Sequence, residues 1–196
     1  MRGVIVGLGN PGREYEGTRH NFGCMALRAL LAFAQQEGTA ERISRIHDPY
    51  ALWRCSLRAE ETWLAAIPLT YMNASGEAVQ RLVAYYHLGP EELLILHDEL
   101  DLPLGRLRLK KGGGTAGHNG LKSIQQMLGT PDFYRLRMGI GKRAPAVEYV
   151  LSRFPPQEKD LAAAAVEGAL RGILLYMEKG PEAARIFCHA FAVAPA

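Results

Sequence analysis

Long hydrophobic runs are missing from this 196-residue chain: charges interrupt every apolar stretch well short of the roughly 20 residues that cross a bilayer, which excludes a transmembrane helix. Cysteine is scarce. Cys24, Cys55 and Cys188 are odd in number and far apart, so they fit neither a disulfide framework nor a zinc knuckle and are expected to be reduced thiols. There is no internal repeat, low-complexity tract or linker, which predicts a single domain over 1–196. The N-terminal stretch lacks the long apolar region and small-residue cleavage site of a secretory signal, so a cytoplasmic location is expected. A composition of 48% hydrophobic and 22% charged residues excludes disordered, collagenous and coiled-coil classes.

Acidic residues are almost absent from one window. Arg106, Arg108, Lys110, Lys111, Lys122, Arg135, Arg137, Lys142 and Arg143 stand there against Asp132 alone, giving +8, while the rest of the chain carries −5. The formal net charge of +3 conceals this asymmetry. A concentrated positive field suits a polyanionic partner, and a solvated basic face is the plainer alternative.

Strand and helix signals alternate along the chain. Short apolar runs at 4–6 and 93–96 suit strands covered on both faces, and 52–57, 62–67, 107–110 and 133–140 also read as strands. Apolar residues recur at helical spacing from Phe22 to Phe33, with Gly38 as the stop, and again from Val79 to Tyr86. Leu121, Ile124 and Leu128 mark a third helix, and an Ala-rich helix covers 158–179. The strands at 52–57 and 62–67 are too close for a crossover, so the fold class is α/β, one domain with a central mixed β-sheet flanked by helices.

Two glycine motifs fail in context. Residues 7–12 match G-x-G-x-x-G after a strand, but the helix that should open inside the loop starts only near Asn21, and no acid ends a second strand about 20 residues on. A dinucleotide-dependent oxidoreductase is thereby a distant alternative. Gly112 and Gly117 have Walker A spacing, yet His118 and Asn119 stand where Lys and Ser or Thr are required, so no nucleotide triphosphatase is expected.

Among six histidines, His20 stands apart, between a glycine-containing loop and a strong amphipathic helix. The positive end of that helix disfavours imidazolium and keeps a neutral base available. Asp98, at the end of the 93–96 strand, is the carboxylate best placed to orient it, since sites collect at strand carboxyl ends in α/β sheets. His97, Glu99 and Asp101 lie beside Asp98, but nothing else has ligand spacing, so no metal and no cofactor are expected. No nucleophile elbow occurs, Cys24 carries no mark of an activated thiolate, and Ser75 reads as a helix N-cap. A His-Asp pair without a nucleophile predicts water activated by a general base. Asn10, Asn73 and Asn119 recur at element junctions, where carboxamides can be turn residues or can read an amide and ribose hydroxyls.

Five segments in order carry a resemblance: GLGNPGREYEGTRHNFG at 7–23, PLTYMNASG at 68–76, HDELDLPLG at 97–105, GGGTAGHNGLKSI at 112–124 and FYRLRMGIG at 133–141. Together they resemble bacterial peptidyl-tRNA hydrolase over almost the whole chain, with the Ala-rich C-terminal region least specific. The resemblance implies hydrolysis of the ester between a peptide, or an N-blocked amino acid, and the 3′-terminal ribose of tRNA, by a monomer that meets the acceptor stem and 3′ end. It implies His20 as general base, Asp98 as its orienting partner and Asn10 as a reader of the N-blocked group. Tyr15, Tyr71, Asn73 and Asn119 match positions that hold the 3′ end and peptide, and Lys110 and Arg137 match basic positions near the tRNA body. The Gly-Thr-Ala-Gly stretch before His118 falls in a region that varies in the family, which touches loop shape alone. The alternative from another class is a non-catalytic RNA-binding protein on the same fold, as in plant-organelle splicing factors.

Overall fold

The computed structural model describes residues 1–58 and 61–193. One mixed sheet holds β1 (Gly3–Gly7), β2 (Ala40–Arg42), β3 (Tyr50–Arg58), β4 (Glu61–Pro68), β5 (Leu93–Glu99), β6 (Leu107–Lys111) and β7 (Tyr134–Gly139), in the order β2-β3-β4-β1-β5-β7-β6. Strands β4, β1, β5 and β7 run parallel, while β3 pairs antiparallel with β2 and β4, and β6 antiparallel with β7. Six α-helices accompany it among the described residues: α1 (Phe22–Gln36), α2 (Ser75–Tyr86), α3 (Asn119–Leu128), α4 (Ala146–Leu151), α5 (Pro156–Lys179) and α6 (Pro181–Ala190).

Alternation along the central strands splits the core into two layers. Ile5, Leu94 and Leu96 face α1 and α5, packing with Leu27, Leu30 and Ile173. Val4, Val6, Leu93 and Ile95 face α2 and α3, packing with Val79, Leu82, Leu121 and Ile124. Strands covered on both faces need no polar side, which is why β1 and β5 are continuously apolar until β5 reaches His97.

Several boundaries differ from expectation. Ser75 is the first residue of α2 rather than its N-cap, and its hydroxyl donates to the Met72 carbonyl at 2.8 Å. Strand β2 is too short, and α4 too short, to show a period, and α6 follows α5 across Gly180 alone. The three cysteines are free and buried.

Strand β1 is the point where chain order reverses, with β4 on one side and β5 on the other. A crevice forms beyond the carboxyl ends of such strands. There α1 lies unusually close to β5: a Cβ on Gly23 would sit 2.0 Å from the Leu96 carbonyl oxygen, so only glycine lets the first turn of α1 approach. That contact carries the preceding turn, residues 19–21, onto the end of β5.

Candidate active site

The carboxylate of Asp98 is buried at the end of β5 and two imidazoles converge on it. His20, in the turn before α1, places Nδ1 at 3.0 and 3.2 Å from the two Asp98 oxygens. His118 places Nε2 at 3.0 Å from Oδ1. The His118 ring also caps α3, its Nδ1 accepting the Leu121 amide proton at 3.3 Å. An accepting Nδ1 puts the proton of the neutral ring on Nε2, so His118 donates to Asp98. His20 donates through Nδ1 likewise, which leaves its Nε2 as the basic nitrogen.

Burial alone would raise the Asp98 carboxyl, but the charge and hydrogen bonds of His118 and His20 outweigh it and hold the group well below the usual carboxylate range. His97 is sealed in the core, where burial first and His118 second push it down to about 3. Its Nδ1 lies 2.6 Å from the Asp98 carbonyl oxygen and donates to it, which fixes the backbone that carries the carboxylate. The ligand atoms of His20, Asp98 and His118 lie within 4.8 Å of one another, the one such group among the described residues. Hydrogen bonding accounts for that convergence, since both rings direct N–H groups at the carboxylate.

A cavity of about 200 Å³ opens over the cluster. His20, Asp98, His118 and Asn119 line it, with Glu99 behind and α4 supplying Ala146, Val147 and Val150 as an apolar wall. Asn10, in the turn after β1, is tied to Asn21, the residue that follows His20. The Asn10 amide donates to Asn21 Oδ1 at 2.8 Å, Asn21 Nδ2 donates back to the Asn10 carbonyl at 3.0 Å, and Asn10 Oδ1 accepts the Met72 amide proton at 2.7 Å. With its oxygen committed, Asn10 presents Nδ2 as a donor. The Met72 bond ties Asn10 to the turn holding Asn73, which is exposed, and Tyr71 meets Tyr15 edge to face at 6.2 Å.

Residues 4–193 match the family model described as peptidyl-tRNA hydrolase. The chain belongs to the peptidyl-tRNA hydrolase family. A peptidyl-tRNA hydrolase of Nitratidesulfovibrio vulgaris is 50% identical over 97% of this chain and 98% of its own length, and one of Oleidesulfovibrio alaskensis is 46% identical over 97% of each. The crystal structure of peptidyl-tRNA hydrolase from Acinetobacter baumannii superposes with a TM-score of 0.89 at 35% identity, covering 99% of this chain and 96% of that one.

The basic window of this family member is less uniform than its charge suggests. Arg135 is buried, its guanidinium donating to the carbonyls of Gly113 and Gly114 at 2.8 and 2.7 Å, so it holds the glycine loop instead of meeting solvent. Arg108 is spent on the carbonyls of Leu107 and His189. Arg137 shares its Nε with the buried Glu99 at 2.8 Å and keeps part of its guanidinium exposed. Lys110 lies near it on β6, half-buried, its ammonium lowered by burial and by Arg137. Lys110 and Arg137 thus sit toward the β6 edge of the sheet, joined to the cleft through Glu99. The one sequence signal for His118 is its place directly before an amphipathic helix, where its ring caps α3.

Proposed function

We propose that this chain hydrolyses the ester between a peptide, or an N-blocked amino acid, and the 3′-terminal ribose of tRNA, with His20 as general base. The observation that carries the mechanism is the His20–Asp98 contact at 3.0 Å, which directs Nδ1–H to the carboxylate and leaves Nε2 to take a proton. Water gives that proton to Nε2 as its oxygen bonds to the ester carbonyl carbon. The resulting imidazolium is stabilised by Asp98, which stays ionised throughout, and it returns the proton to the ribose oxygen as the C–O bond breaks. His118 donates to Oδ1 of the same carboxylate and keeps it aimed. Asn119, lining the cleft at the start of α3, and the Nδ2 of Asn10 are the donors available to the developing oxyanion and the peptide amide.

An ester leaving group needs less help than an amine, which suits a site with no protein nucleophile. Tyr15, Tyr71 and Asn73 meet the 3′ end, and the Lys110–Arg137 edge meets acceptor-stem phosphates of a substrate bound by a monomer. Incubation with N-acetyl-aminoacyl-tRNA should release free tRNA. His20→Ala should lower turnover by about 10²–10⁴-fold while substrate binding persists. Binding of peptidyl-tRNA with no hydrolysis by the wild-type protein would leave the non-catalytic RNA-binding reading instead.

A further inference from the structure

The catalytic cleft has a neighbour. A second cavity of about 490 Å³, larger than the cleft itself, is lined by Asn10 and Asn21 and lies between the turn after β1, the first turns of α1 and the end of β4. The cavity has an apolar floor of Met25, Ile67, Pro68 and the Cys24 side chain, and Leu69, half-exposed, extends that surface to the outside. Arg13, Glu16 and Arg28 stand around its mouth, all three exposed, a net positive rim. None of these residues takes part in the hydrolytic cluster.

Asn10 and Asn21 line this second cavity, and His20, which precedes Asn21 in the chain, lines the cleft. The carbonyl, amide and Oδ1 of Asn10 are all satisfied by protein, and Nδ2 remains as a donor. A peptide whose ester carbonyl lies at His20 can offer Nδ2 the next carbonyl upstream, and extended chain advances about 3.3–3.6 Å per residue, so the preceding residue arrives on the Asn10 side. We infer that this second cavity is the subsite for the residue preceding the esterified one, and that Arg28 and Arg13 make it favour acidic over basic side chains. The inference rests on the hydrolase reading above. A long side chain would lay its methylenes over Met25 and Leu69 and carry its charged end to the rim, where two guanidiniums outnumber the Glu16 carboxylate, so a carboxylate meets net attraction and an ammonium net repulsion.

Two substrates built on one tRNA test this, N-acetyl-Glu-Ala-tRNA and N-acetyl-Lys-Ala-tRNA, which differ only at the residue assigned to the cavity. The expected result is a kcat/KM ratio favouring Glu by about fivefold, the scale of an exposed charge pair. Arg28→Glu should bring the ratio to one, and Arg13→Glu with Arg28→Glu should invert it. A wild-type ratio near one, or a preference that survives the double reversal, overturns the inference while hydrolysis of both substrates upholds the enzyme's activity. Hydrolysis of neither substrate overturns the hydrolase reading and the subsite with it.

Discussion

His118 performs two tasks with one ring, donating to Asp98 through Nε2 and capping α3 through Nδ1. Loss of a hydrogen bond to a charged group costs about 1.5–3 kcal/mol, so His118→Ala should lower kcat roughly tenfold to a hundredfold. The same variant should lose about 1 kcal/mol of stability from the missing cap, whereas His118→Asn restores the cap, and thermal melts of the two variants separate the roles. His97 predicts an acid response. An unfolded histidine takes up a proton near pH 6.5, but buried His97 holds out to about 3. Between those values the unfolded chain binds the extra proton, so stability falls as pH is lowered, by up to ~1.4 kcal/mol per pH unit. Asp98 adds to the loss at lower pH, because its depressed folded value means the unfolded carboxyl protonates first. His97→Asn should flatten the curve of Tm against pH between pH 6.5 and 4, and a limb as steep as that of the wild-type protein would contradict this account.

At the scale of elements, the approach of α1 to β5 decides whether the catalytic pair forms. A side chain at residue 23 would press against the Leu96 carbonyl, backbone that cannot yield without moving the strand into His97 and Asp98. Gly23→Ala is therefore expected to destabilise by about 3 kcal/mol and to lower kcat as well, readable from denaturant unfolding and turnover together. Arg19 ties the same turn down from outside: its buried guanidinium pairs with Glu158 at 2.6 Å and stacks on Tyr149 of α4 and on Phe154. Most strands and the longer helices were legible because their apolar residues repeat at 2.0 or 3.6. The wall that α4 gives the cleft was not, since six residues show no period and their placement depends on contacts with the turn before α1.

Across the whole molecule, charge is sorted by position in the sheet. The basic window maps to β6, β7, the glycine loop and the segment up to Arg143, and the cleft lies between that side and α1. Affinity for peptidyl-tRNA should fall as salt rises, and Lys110→Ala should reduce the slope of log K against log salt by about one. Arg137→Ala should reduce it similarly but also destabilise the protein, because Glu99 would lose its partner. An unchanged slope in both variants would make that edge an ordinary solvated face.

The local code was enough for the α/β class and marked His20 and Asp98 as candidates, because apolar periodicity, helix starts and strand ends are properties of neighbours in the chain. Which cations are exposed and which are buried struts, that His118 shares the carboxylate, and that Asn10 lines a second cavity came from the fold. Those features join residues 20 to 133 positions apart, as in His118 with Asp98 and Arg19 with Ser152, and distances of that kind are set by packing across the sheet, not by spacing along it.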